Sequence, residues 1–186
     1  MLYQIVSLLL EVAVSLVAGT CLLRLYMQWQ RINLSLRMGH PLAPFIFSLT
    51  NWLILPLRRV LPAIGRVDSA CLVGAYAMVF AKTAVLWLWT GTTLPLASLA
   101  LLAGFELVQL GLSGLSWLVI AYAVLSWFRG ASDLGYFLSQ LIEPLLEPLR
   151  RVVPMVGGVD LSLLALLLLL KIAEIVLVHA SRVLSL

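Results

Sequence analysis

Pro148-Leu-Arg-Arg-Val-Val-Pro154, followed by Gly157 and Asp160, repeats Pro56-Leu-Arg-Arg-Val-Leu-Pro62 with Gly65 and Asp68 at a constant offset of 92. Upstream, Phe45, Ile46, Leu49 and Leu53 map by the same offset onto Phe137, Leu138, Leu141 and Leu145. Gln28-Trp29 aligns with Ser126-Trp127 once a six-residue insertion around residues 37–40 is allowed. Self-similarity at a long fixed period marks a duplicated unit. The chain therefore divides into residues 1–93 and 94–186, two repeats built on one plan.

On either side of each motif lie long apolar runs, at 2–27, 69–90, 99–128 and 161–180. A hydrocarbon core of about 30 Å takes about 20 helical residues, so each run can cross it. The third is too long for one straight crossing, since 30 residues at about 1.5 Å give about 45 Å. It is expected to tilt strongly or to begin as a separate short piece, with Gly104, Gly111 and Gly114 as break points and the crossing near 106–128. The opening Met1-Leu-Tyr-Gln-Ile-Val6 lacks the basic n-region of a signal peptide and no small-residue cleavage site follows, so the first run is expected to stay in the mature protein.

Composition agrees. Of 186 residues 63% are apolar and 11% charged, against about 45–50% and about 25% in soluble domains, and the mean hydropathy is +1.11. Too few ionic groups are present to face water around a 20.4 kDa body. Disorder, a disulfide scaffold, a soluble enzyme and a nucleic-acid module are all disfavoured. Cys21 and Cys71 sit in apolar surroundings and read as small buried hydrophobes. The fold class is an all-α membrane protein: four transmembrane helices in two parallel two-helix repeats, each with a basic amphipathic connector.

The net charge of +4 then reads as a topology signal. Two crossings per half return the chain to its starting side, so both Pro-Leu-Arg-Arg connectors share one face and the halves are related by an axis along the membrane normal. That face carries Arg31, Arg37, Arg58, Arg59, Arg66, Arg129, Arg150 and Arg151; the other offers the uncharged turn at 91–95 and Arg182. The positive-inside rule puts the arginines in the cytoplasm and both termini on the opposite side.

In the second connector Phe137, Leu138, Leu141, Ile142, Leu145, Leu146 and Leu149 keep a helical period, with Ser139, Gln140, Glu143 and Glu147 on the other face. At about 13 residues this stripe is too short to span, so it is expected to offer its apolar side to lipid, lying in the interface plane or re-entering shallowly. Pro144 and Pro148 are expected to bend or end it, and Trp52 to anchor the more apolar first connector at the interface.

Two sets of residues can carry function. Arg58, Arg59, Arg150 and Arg151 read either as a site for an anionic headgroup or a partner's acidic surface, or simply as topology-setting anchors. Asp68 and Asp160, each just before a crossing, are expected to cap those helices for about 1 kcal/mol, a role compatible with pairing to an arginine. The second set is intramembrane: Glu11, Lys82, Glu106, Lys171 and Glu174. The fourth crossing has 13 Leu, Ile and Val residues, returning roughly 4–8 kcal/mol against roughly 5–7 for Lys171 and Glu174, so that these two are expected to pair at i, i+3. Counting from the helix ends puts Glu11, Lys82, Glu106 and Glu174 in one layer. Such a layer can line an ion path or lock the helices together. His40 reads as a solvated loop residue and His179 as interfacial; no metal set, cofactor motif or catalytic motif stands out.

The repeated Pro-Leu-Arg-Arg-x-x-Pro with its Gly and Asp, together with Ser126-Trp-Phe128, Glu143-Pro-Leu-Leu-Glu-Pro148 and Asp160-Leu-Ser162, resembles the YggT family of small membrane proteins over nearly the whole chain. The first half departs from the pattern at Gln28-Trp29 and Asn51-Trp52. The resemblance implies a bacterial inner-membrane protein linked to osmotic tolerance, ion uptake and the envelope or division machinery, and to assembly of membrane complexes in plastid relatives. Two functions follow as expectations. One is a non-enzymatic scaffold or assembly factor, without cofactor, docking anionic lipid headgroups or a membrane partner through the arginine connectors. The other is an oligomeric cation or proton conduit, a homo-oligomer using the Glu/Lys layer.

Overall fold

The computed structural model describes residues 2–30, 43–60, 68–91, 95–127, 133–151 and 160–184. Arg31, Arg37, His40, Pro62, Gly65, Arg66, Arg129, Pro154 and Gly157 lie outside the described residues, as does most of the 91–95 turn. The order is α1 (Leu2–Trp29), α2 (Ala43–Val60), α3 (Ser69–Thr90), α4 (Leu96–Trp127), α5 (Asp133–Arg150) and α6 (Leu161–Leu184). Four of these, α1, α3, α4 and α6, are long and apolar enough to cross a membrane.

Helix α4 does not begin as a separate short piece and does not break at its glycines. It is a single helix of 32 residues, about 48 Å long, with Gly104, Gly111 and Gly114 inside it. Glycine weakens a helix in water, but in hydrocarbon every backbone N–H and C=O must be satisfied internally, which keeps the helix going. The C-terminus of α3 does use glycine: Gly91 takes a left-handed φ of 65° and its N–H donates to the Trp87 carbonyl at 3.2 Å.

The crossings pack as α1 on α3 and α4 on α6, joined by α3 on α4 and by a contact of α1 with α4. Small residues, Ala18, Cys21, Ala70, Cys71, Ala75 and Ala103, fill the α1–α3–α4 core and let the backbones approach. Connector α2 lies on α1 and α3, and α5 on α4 and α6. Gly74 admits α2 closely: a Cβ there would meet Leu53 Cδ2 at 3.3 Å.

The connectors depart from the expected picture in two ways. First, the apolar stripe of α5 is turned inward. Phe137, Leu138, Leu141, Ile142 and Leu146 are buried with Met27, Val119 and Leu166 in a second core. Helical period identifies the apolar face but not whether lipid or protein covers it. Second, α2 and α5 run through Pro56, Pro144 and Pro148 without ending there. All three prolines are on the exposed side. The Tyr26 hydroxyl donates to the Leu141 carbonyl at 2.7 Å and ties α1 to α5.

Candidate functional site

The last turn of each connector is pinned to the foot of the next crossing. Arg58 Nε donates to Asp68 Oδ2 at 2.9 Å and its Nη2 reaches the same oxygen. Arg150 does likewise to Asp160 Oδ2, at 3.0 Å from Nε and 2.7 Å from Nη2. The guanidinium fork suits this two-point grip as an ammonium does not. Arg151 pairs with Glu147 at 2.9 Å, one helical turn away, both side chains exposed; Arg59 is exposed on α2.

The two aspartates differ in capping. Asp160 Oδ1 accepts the Ser162 N–H at 3.0 Å and the Ser162 hydroxyl, so it caps α6 as well as binding Arg150. Asp68 makes no side-chain cap to α3, which corrects the capping expectation for the first half. Ala70 stands at the position 92 residues before Ser162, so the hydroxyl that anchors Oδ1 is missing. Burial pushes both carboxyls up, and it is overcome at Asp68 by the Arg58 hydrogen bond and charge, and at Asp160 by Ser162 and Arg150, leaving both below the ordinary aspartate value. A carboxyl depressed in the fold contributes stability above its unfolded pKa and loses it as pH falls through the folded value. Asp68→Asn is therefore expected to lower the melting temperature at pH 7, with the gap to the parent closing once the pH drops well below about 4. Melting curves across that range check it, and a gap independent of pH would show that the carboxylate charge is not what holds α2.

Inside the crossings, three elements bring ionisable groups together. Lys82 Nζ on α3 donates to Glu11 Oε2 on α1 at 2.8 Å and to Glu106 Oε1 on α4. Thr83 Oγ1 donates to Glu106 Oε2 at 3.1 Å. A cavity of about 150 Å³ opens beside them, lined by Glu11, Ser15, Lys82, Glu106, Gln109 and Ser113 among others. Glu174 belongs to a different group: Lys171 Nζ donates to its Oε2 at 2.7 Å and Ser116 Oγ to its Oε1 at 3.3 Å. Lys82 and Glu174 stand 92 residues apart, the spacing that separates Arg58 from Arg150. Among the described residues no group of three or more His, Cys, Asp or Glu is placed to hold a metal ion.

A protein-family model described as CCB3/YggT matches residues 3–89 and 101–181. The chain belongs to the CCB3/YggT family. It is 39% identical over 167 residues to the protein of Escherichia coli K12 named "Uncharacterized protein YggT", covering 88% of this chain and 84% of that one. A Vibrio alginolyticus protein, named for its place in the proC 3' region, is 33% identical over 171 residues, 90% of each chain. A Pseudomonas aeruginosa relative is 30% identical over 144 residues, 75% of this chain and 73% of that one. No solved structure matches. Bacterial kinship and four apolar crossings make this YggT-family chain a multi-pass inner-membrane protein.

One residue of this family member escaped the sequence reading. Arg24 on α1 is only 6% exposed. Its Nη1 donates to Thr50 Oγ1 at 3.0 Å and Asn51 Oδ1 at 3.1 Å, and the guanidinium stacks on the Phe47 ring, 4.9 Å from the centroid. It bolts α2 to α1 from inside. A signal was present: Arg24 is the one cation in the run 2–27, and a charge in a crossing demands partners.

Proposed function

We propose that this protein is a non-enzymatic inner-membrane scaffold that docks anionic lipid headgroups on the cytoplasmic face through its two arginine connectors, in the service of membrane assembly or osmotic and ion homeostasis. In this reading the halves 1–93 and 94–186 are parallel repeats, with both termini away from the cytoplasm. The supporting observation is the division of labour within each arginine pair. Arg58 and Arg150 are bound to Asp68 and Asp160, which fixes the helix end and presents Arg59 and Arg151, both exposed, at a defined place. Among the described residues Arg151 pairs with exposed Glu147, a pair of small net value that a phosphate can replace.

Each arginine near an anionic surface contributes about 1 kcal/mol. Arg59→Gln with Arg151→Gln is expected to weaken binding of a short-chain phosphatidylglycerol, read as a ligand-dependent rise in melting temperature, by about tenfold or more, leaving phosphatidylcholine binding unchanged. Equal binding of both lipids by the parent would sink the docking reading.

The polar cavity beside Lys82 favours a second reading, a cation or proton conduit, because it lies within the crossings and two carboxylates face one ammonium there. Proteoliposomes loaded with a pH-sensitive dye decide between them. Flux through the parent that is lost in Lys82→Leu, with folding intact, supports the conduit and overturns the scaffold.

A further inference from the structure

We propose that the protein associates with copies of itself inside the membrane, with Glu11 of one chain meeting Lys171 of the next, so that the open face of α1 docks on the open face of α6. The two intramembrane ion pairs share an asymmetry. Lys82 is 4% exposed while its partner Glu11 is 57% exposed; Glu174 is 15% exposed while its partner Lys171 is 55% exposed. Each pair thus has one member inside the chain and one on its outer surface. The outer members are an acid on α1 and a base on α6.

Both lie within crossings, where an ionised side chain facing lipid is strongly disfavoured on insertion scales. Ordinary apolar exposure needs no explanation in a bilayer, but these two charges do. Their signs are complementary, and the Lys82 cluster, with two carboxylates around one ammonium, has negative charge left over to attract a further cation. Their heights also agree. With four crossings, α1 begins and α6 ends on the same side. Glu11 lies nine residues from the start of α1 and Lys171 thirteen from the end of α6, about 14 and about 20 Å deep, a difference a lysine's four-carbon stem spans. The flanking surface is apolar and exposed on both helices, Val12 and Leu16 on α1 against Leu168, Ile172 and Ile175 on α6.

Because α1 meets α6 and not itself, the contact is head-to-tail, and repeating it closes a ring when the rotation allows. This interface goes beyond the headgroup reading and does not depend on it, so its failure leaves the Arg59 and Arg151 test untouched.

The test uses the full chain in native membranes, with Cys21 and Cys71 replaced by alanine. A copy carrying Glu11→Cys and a differently sized tag is co-expressed with one carrying Lys171→Cys, and a bismaleimide is added, because the Glu–Lys reach exceeds what a direct disulfide spans. A cross-linked product containing both tags is expected, with little product from either variant alone; since each copy carries a single cysteine, no link forms within one chain. Native mass of the unmodified protein in lipid nanodiscs is expected to show more than one copy. Glu11→Gln and Lys171→Gln are each expected to weaken association about tenfold, with the fold kept because Lys82 retains Glu106 and Glu174 retains Ser116. A single-copy mass, or cross-linking between two Glu11→Cys chains in place of the mixed product, overturns the proposal. Monomers surrounded only by lipid overturn it as well.

Discussion

Lys82→Met is expected to lower stability by about 3–5 kcal/mol, the largest loss from any single side chain in the crossings. The lysine is the shared cation of Glu11 and Glu106. Removing it leaves two carboxylates from different helices facing each other beside a small cavity, and Glu106 keeps Thr83 as a neutral donor. Methionine matches the lysine stem in length, so the loss reports charge. Thermal unfolding in micelles, followed by tryptophan fluorescence to which Trp87 and Trp89 on the same helix contribute, measures it.

A rescue separates charge from packing. Lys82→Met with Glu11→Gln and Glu106→Gln removes all three charges and is expected to recover most of the loss, because a buried ionic cluster exchanged for neutral groups of similar volume is often neutral or better. The cluster then serves to choose which helices pack, more than to add stability. If Lys82→Met alone is harmless, water in the cavity already solvates the carboxylates, and the conduit reading gains. Lys171→Met is expected to do less, since Lys171 is half exposed and Glu174 keeps Ser116.

Much of this architecture is legible in the residue order. Apolar runs at 69–90 and 161–180 become α3 and α6 almost residue for residue, because length and hydropathy alone decide whether a segment can span. The helical period from Phe137 to Leu149 likewise becomes α5. What periodicity cannot supply is azimuth. Counting along the helices puts Glu11, Lys82, Glu106 and Glu174 at one height, yet three of them converge and Glu174 turns to Ser116 and Lys171. Height follows from rise per residue, whereas facing depends on how four helices rotate against each other. The split between Asp68 and Asp160 was hidden for a different reason: an aspartate before a helix looks like a cap whether it binds the helix or an arginine. Ser162 adds a hydroxyl donor to Asp160 Oδ1, and Ala70 at the position 92 residues earlier has none to offer Asp68.

Arg24 is where sequence and structure diverge most, and it carries the second large effect. Arg24→Ala is expected to cost about 3 kcal/mol and to release α2 from the bundle. The guanidinium makes two hydrogen bonds to α2, to Thr50 and Asn51, and covers the Phe47 face. Bonds to a charged donor contribute about 1.5–3 kcal/mol each, but they share one donor atom and are not additive. Truncation also leaves Thr50, itself fully buried, beside an empty polar hole. Arg24→Lys is expected to recover less than half, since an ammonium keeps the charge but loses the flat stacking surface and the fork. The readout is hydrogen exchange. Amides of α2 near Thr50 are expected to lose protection in Arg24→Ala while those of α5, held by its own core and by Tyr26, keep theirs. Loss spread evenly over all six helices would mean that Arg24 supports the whole bundle and does not act as the latch of the first connector.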